Sequence, residues 1–266
     1  QLLNHKIKMR KIHPTAIISE TVELGENIEV GPYTIIEGNA KIGNGCQIGP
    51  YVHIQGYTEI GEKTRIFTGA VIGSIPQDLK YKGEITYLKI GKNNTIREFV
   101  TINPGTSKGE ETVIGDNNLL MAYCHIAHNC VIGNNVIIAN YGGLAGHVII
   151  EDYVIIGGFV GIHQFCRIGK HAIIGGCSKV TMDIIPYIAA DGHPARPYGL
   201  NIVGLKRRNF SKEKIELLNE AYKIIFKSGL NTTDALKKLE EINNCEEIKD
   251  IIKFIKSSER GIAKER

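Results

Sequence analysis

Every sixth residue of the chain is aliphatic over most of its length. From Ile12 to Ile72, and in the same phase from Ile90 to Val180, the series holds at 26 of the 29 positions between 12 and 180, the exceptions being Asp78, Glu84 and Lys108. A period of six matches neither the 3.6 residues of a helix nor the simple alternation of a long strand. Glycine often follows the aliphatic residue, as at Gly25, Gly31, Gly43, Gly61, Gly133 and Gly169. The pattern therefore predicts short strands broken by turns, wound into a solenoid whose neighbouring coils bury a shared apolar interior.

Two stretches leave the pattern. The first, 73–89, contains Ile75-Pro76-Gln77-Asp78-Leu79-Lys80; the second, 103–113, contains Pro104-Gly105-Thr106 and a charged tip. A loop that leaves a repeat scaffold costs ordering entropy without burying core, so functional use is the expectation for both. After Val180 the period stops, and 183–201 reads as a link containing Pro and Gly. Beyond it the spacing predicts helices: one capped by Ser211, carrying Ile215, Leu218, Tyr222 and Ile225 on one face and ended by Gly229; a second capped by Thr232 or Thr233 and running to Ile242; a third marked by Ile248, Ile251, Ile252 and Ile255. The expected organisation is thus an N-terminal extension at 1–8, a solenoid domain at 9–200 and a helical domain at 201–266.

Composition narrows the function classes. A formal charge of +4 over 266 residues is too small to point to nucleic acid, though it suits an acidic or phosphorylated partner. The sequence has no run of 18 apolar residues and no signal-peptide apolar region, so a soluble, cytoplasmic protein without membrane insertion is expected. The six cysteines form no Cys-x-x-Cys pair, and Cys46, Cys124, Cys130 and Cys166 share one repeat phase with Ala16, Ala40 and Thr58. They read as small packing residues, with no metal and no cofactor implied.

Candidate chemistry lies in Leu120–Cys130, where His125 and His128 flank an inward-facing Ile126. With coils of 18 residues, His128 falls one coil from the neighbourhood of His147, and His147 one coil from that of His163. Strands in parallel register lie about 4.8 Å apart, so these imidazoles are expected to line one groove across about 10 Å. An imidazole with a pKa near about 6.5 can take a proton from a hydroxyl attacking a thioester and return it to the leaving thiol, with no metal and no covalent intermediate.

The six-residue period resembles that of the hexapeptide-repeat acyltransferases, which implies a left-handed parallel β-helix with a C-terminal α-helical subdomain. The stretches IPQDLKYKGE, NNLLMAYCHIAHNCVIG, LAGHV, GIHQFCRIG, GGCSKV and GLNIVGLKRRNFS are similar, within that superfamily, to the UDP-N-acetylglucosamine O-acyltransferase family, from Met9 to the C-terminus. The resemblance implies transfer of a 3-hydroxyacyl group from acyl carrier protein to the 3-hydroxyl of UDP-N-acetylglucosamine, the first step of lipid A biosynthesis, by a homotrimer. It implies His128 as general base, and His125, His147, His163 and Gln164 lining the cleft. Asp78 and Lys80 would contact substrate from the first excursion, Asn201, Arg207 and Arg208 would bind the nucleotide, and Gly176 would leave the acyl groove open to a longer chain. Lys206, Arg207, Arg208 and Lys212 would steer the acidic carrier protein.

The chain departs from the family pattern at Val203, where better-known members have Glu, and at Asn103-Pro104, where they have His-Arg. Three other readings are weighed against O-acylation: N-acylation of a 3-amino UDP-sugar, a zinc enzyme of the γ-carbonic anhydrase type, and a solenoid without catalysis.

Overall fold

The computed structural model describes residues 10–242 and 245–265; the extension expected at 1–8 lies outside them. The chain divides into two compact units at the Asn135/Val136 bond, and each is taken by itself.

In the first unit eighteen strands run from Lys11–Ile12 to Val131–Ile132, nearly all of them two residues long. Successive strands rotate through three parallel sheets, so that each pairs with the strand one coil away. The sixth-residue pattern explains the register. Ile36 stands opposite Ile54, eighteen residues on, and the aliphatic side chain of each strand meets its equivalents above and below. Ile36, Ile54, Ile72, Ile102 and Ile126 form one such ladder and are fully buried. Each is worth about 1.5–3 kcal/mol relative to exposure, so the stack stabilises the coils far more than two-residue strands could by themselves. The small residues of the other inward phase, Ala40, Cys46, Thr58, Cys124 and Cys130, are buried with them.

The excursions are absorbed without loss of register. Ile72 pairs with Ile102, thirty residues on, and Ile102 with Ile126, twenty-four on. The excursions end earlier than 89 and 113, because Tyr87–Ile90 and Glu111–Ile114 already pair with each other as strands of the coil, and the strands flanking both excursions stay in place. Corners between strands repeatedly place a residue in the left-handed region, among them Tyr33, Tyr51, Phe99, Tyr123 and Asn129. Such a conformation is uncommon for bulky residues; here coil closure imposes it, and stacking between coils offsets it, with Tyr33 on Tyr51 at 5.2 Å and Phe99 on Tyr123 at 5.1 Å.

The second unit continues the same construction from Ile137–Ile138 to Lys179–Val180, with Ile138 opposite Ile156 and Ile156 opposite Ile174. The stretch expected as a link is more ordered than that. Ile188–Gly192 pairs parallel with Ile173–Ile174 and antiparallel with Ala195–Leu200. Pro194 and Pro197 read as breakers, yet Pro194 sits in the turn and the run Ile188–Ala190 is buried, so tertiary cover overrides the local signal.

Among the described residues four helices follow: α1 (Ile202–Arg207), α2 (Lys212–Phe226), α3 (Thr232–Ile242) and α4 (Glu246–Lys256). The first is absent from the sequence expectation because six residues give no periodicity; Asn201 caps it, accepting from Gly204 N–H at 3.1 Å. Ser211 caps α2 as expected, whereas α3 is capped by Asn231, which accepts from Asp234 N–H at 2.9 Å, and not by Thr232 or Thr233. The buried face of α2 is Leu218, Ala221, Tyr222 and Ile224, shifted from the expected stripe because Ile215 and Ile225 are only half-buried. Among the described residues no helix is long and apolar enough to cross a membrane.

Candidate active site

In the first unit the strand His125–Ile126 turns Ile126 into the core and leaves His125 half-buried on the outer face. Nδ1 of His125 lies 2.7 Å from the Thr101 hydroxyl of the neighbouring coil. Burial, with a smaller effect from nearby His128, holds the His125 pKa below the ordinary histidine value, so this ring is neutral at neutral pH.

His128 stands at the following corner and is only 8% exposed. Its Nδ1 is 2.9 Å from Oδ1 of Asn129, and its Nε2 is 3.5 Å from a carboxylate oxygen of Asp78. Asp78 reaches it from the first excursion, where its other carboxylate oxygen accepts from Lys80 N–H at 2.9 Å. Lys80 itself is exposed. Of the residues predicted for the first unit, His125, His128 and Asp78 are thus brought together, and Lys80 serves the group through its backbone.

Asn103 explains how the excursion is aimed. It is 1% exposed, and its Nδ2 donates to the Ser74 carbonyl and hydroxyl at 3.1 Å and to the Ile75 carbonyl at 3.3 Å. The departure at Asn103 therefore has a structural use: it ties the start of 73–89 to the coil and so fixes where Asp78 points. Asn129, whose Oδ1 faces His128, and Glu110, whose carboxylate accepts from Asn129 Nδ2 at 2.8 Å, are not legible in the sequence as neighbours of the site. Asn129 carries a signal in hindsight, since it follows His128 at the repeat phase that His147 also occupies. Glu110 carries none, because no repeat phase applies inside an excursion.

In the second unit His147 is half-buried at a left-handed corner, its ring stacked on Phe165 at 4.7 Å. His163 is exposed, with Nδ1 3.0 Å from the Gln164 carbonyl oxygen, and Gln164 is half-buried. Gly176 is exposed; a Cβ there would meet the Gly158 carbonyl oxygen at 3.3 Å, tight but short of a clash. Asn201 is buried, and besides capping α1 it donates from Nδ2 to the His171 carbonyl at 2.9 Å. Both ends of its carboxamide are used inside the protein, so it positions the helix that carries Arg207. Arg207 is exposed in the last turn of α1. Arg208 lies over the Tyr153 ring at 4.2 Å, and burial lowers its pKa. Val203 is exposed on the same helix.

Beside Arg208 lies a group that sequence inspection passes over. The ring of His171 is stacked between Tyr153 at 4.8 Å and Tyr187 at 5.5 Å. Burial, followed by the charges of Arg208 and Lys170, lowers its pKa to about 4. Among the described residues no group of three His, Cys, Asp or Glu side chains stands together to hold a metal ion.

Comparison with known proteins bears on both units. A family model described as bacterial transferase hexapeptide (six repeats) matches residues 39–74 and 111–146. A second, described as Udp N-acetylglucosamine O-acyltransferase, domain 2, matches 183–263. The chain is 62% identical over 257 residues to the acyl-[acyl-carrier-protein]–UDP-N-acetylglucosamine O-acyltransferase of Aquifex aeolicus, covering 96% of this chain and 98% of that one. It is 60% identical over 259 residues to the enzyme of the same name from Sulfurihydrogenibium, covering 97% and 96%. A crystal structure of a UDP-N-acetylglucosamine acyltransferase from Bacteroides fragilis superposes with a TM-score of 0.92 at 48% identity, covering 94% of this chain and 99% of that one. The fold class is accordingly the left-handed parallel β-helix with a C-terminal helical part.

Proposed function

The chain belongs to the UDP-N-acetylglucosamine O-acyltransferase family, and from that premise we propose how its residues carry the reaction, with His128 as general base and Asp78 as its electrostatic partner. The enzyme moves an acyl group from acyl carrier protein to a hydroxyl of UDP-N-acetylglucosamine, the first step of lipid A biosynthesis. The acyl group is a 3-hydroxyacyl chain and the acceptor is the 3-hydroxyl of the glucosamine ring.

The carrying observation is the approach of Nε2 of His128 to the Asp78 carboxylate at 3.5 Å in a site where the imidazole is almost fully buried. The sugar hydroxyl oxygen attacks the thioester carbonyl carbon while its proton passes to Nε2. The imidazolium formed there faces the Asp78 charge, which offsets the cost of creating a cation in a poorly solvated place. Collapse of the tetrahedral intermediate breaks the carbon–sulfur bond, and the proton leaves Nε2 for the thiolate sulfur. One side chain thus serves as base and then as acid, and atoms balance without a covalent enzyme intermediate. His125, neutral and bonded to Thr101, adds no competing positive charge beside that cation.

The remaining assignments follow the family resemblance. Lys80, His147, His163, Gln164, Arg207 and Arg208 serve the substrates, with the exposed Arg207 guanidinium suited to the diphosphate and Asn201 acting through the helix it caps. Gly176 admits the longer acyl chain. The protein is a cytoplasmic homotrimer, in which half-exposed surface aromatics such as Tyr123 and Tyr141 are covered by neighbouring subunits; sedimentation of an active monomer at assay concentration contradicts this. O-acylation is favoured over N-acylation by the activity that the relatives' names state. The test is purified protein with UDP-N-acetylglucosamine and a panel of 3-hydroxyacyl carrier proteins, read by mass spectrometry: an ester of the UDP-sugar is expected, and no acylated sugar with any donor overturns the reading.

A further inference from the structure

Asn129 sits at a coil corner with φ of 60°, a left-handed conformation that asparagine tolerates better than most residues. Its carboxamide has partners at both ends. Oδ1 lies 2.9 Å from Nδ1 of His128 and accepts from the Thr106 backbone N–H at 3.1 Å. Nδ2 donates to Oε2 of Glu110 at 2.8 Å. The two ends of a carboxamide have nearly the same shape, so only hydrogen bonding decides which faces the histidine. Here the neighbours decide it twice over. A backbone N–H can only donate, which demands the oxygen on the His128 side, and a carboxylate can only accept, which demands the amide nitrogen on the Glu110 side.

The consequence reaches the base. Both ring nitrogens of His128 face acceptors, but Asn129 Oδ1 lies at hydrogen-bond distance from Nδ1, 2.9 Å, whereas the Asp78 carboxylate stands 3.5 Å from Nε2. The shorter contact holds the proton of the neutral ring on Nδ1 and leaves the lone pair on Nε2. Were the Asn129 carboxamide turned over, its NH₂ would face Nδ1, the proton would move to Nε2, and the ring could not take a proton there. Glu110 lies in the second excursion, and the same carboxylate oxygen accepts from the Ser107 N–H at 2.9 Å. The excursion is therefore folded around the group that orients Asn129.

Resting on the reading of His128 as the base, we propose that Glu110 and Asn129 are positioning residues for acyl transfer: Glu110 fixes the orientation of the Asn129 carboxamide, and the carboxamide fixes His128 as the Nδ1–H tautomer. This assigns a use to the second excursion and to a residue with no place in the repeat.

A two-by-two cycle tests it. Glu110→Ala should lower kcat by about tenfold, with KM for the UDP-sugar changed by less than about twofold, since binding groups are untouched. Asn129→Asp offers Nδ1 an acceptor at either carboxylate oxygen and has no amide to turn over, so it does not need Glu110. In that background Glu110→Ala should leave kcat unchanged or raise it, because it also removes a like charge beside the introduced carboxylate. An equal loss in both backgrounds means that Glu110 only shapes the loop, and overturns the proposal. A measurement on the unaltered protein decides the matter even if the variants misfold. The ¹⁵N spectrum of the His128 imidazole, assigned by its loss in His128→Ala, should show a protonated Nδ1 and an unprotonated Nε2 in the neutral ring; protonation on Nε2 overturns the proposal. If the native enzyme transfers acyl groups and His128→Ala does not, the base assignment stands whatever the cycle shows, so the two readings fail separately.

Discussion

The carboxylate of Asp78 and Nε2 of His128 stand 3.5 Å apart, one on an excursion that leaves the solenoid and the other at a corner of the coil wall. In the proposed mechanism this pairing gives the protonated imidazole a counter-charge at hand. Asp78→Asn keeps the size of the side chain and removes the charge. It should lower kcat by about 10- to 100-fold, with a smaller effect on substrate affinity. Steady-state kinetics check this, and an unchanged kcat removes Asp78 from the chemical step.

If Arg207 serves the diphosphate as proposed, Arg207→Ala should raise KM for the UDP-sugar far more than for the acyl donor. A charge-assisted hydrogen bond is worth about 1.5–3 kcal/mol, which corresponds to about 10- to 150-fold. Paired kinetics with each substrate varied in turn are the measurement. Equal effects on both contradict the assignment.

Gly176→Met should shift donor preference toward shorter chains and leave KM for the UDP-sugar unchanged. The backbone at Gly176 is not in the left-handed region, and a Cβ meets the Gly158 carbonyl oxygen at 3.3 Å and the Gly158 nitrogen at 3.9 Å, so the variant is expected to fold with a small local adjustment. Each methylene excluded from the groove costs the longer donor about 0.8 kcal/mol. A competition between donors of different length reads the shift, and an unaltered profile shows that the groove is closed elsewhere.

His171 predicts a pH dependence of stability. Its pKa falls from 6.5 to about 4 in the folded chain, mainly through burial and then through Arg208 and Lys170, with Asp152 and Asp250 opposing. Between those two values the unfolded chain holds the proton and the folded one does not. Stability therefore falls as pH drops from about 6.5 to about 4 and levels off below, a loss of up to about 3 kcal/mol from this group. His171→Phe keeps a ring between Tyr153 and Tyr187 and should flatten that slope in thermal melts across the range. An unchanged slope assigns the acid sensitivity to other groups.

The solenoid was legible because its physical cause is written in one period. Ile36, Ile54, Ile72, Ile102 and Ile126 stack directly, and nothing but an apolar residue of that size fits there. His128 was legible through its repeat context and the family resemblance. What faces it was not, in physical terms, because Asp78 and Glu110 sit in excursions whose conformation is set by side-chain clamps such as Asn103 to Ser74 and not by periodicity. The strands at 188–200 were hidden by prolines that the turn and tertiary cover tolerate. The sequence marks Asn201 only through the family resemblance of its segment, which suggests nucleotide contact, whereas its buried carboxamide serves the cap of α1 and the His171 carbonyl.

The most direct measurement of the central claim is single-turnover acyl transfer by His128→Ala beside the native enzyme, with UDP-N-acetylglucosamine binding measured on both. Loss of the general base should slow transfer by about 10²- to 10⁴-fold while the affinity for the UDP-sugar stays within about threefold. Transfer at a near-native rate by His128→Ala contradicts the account.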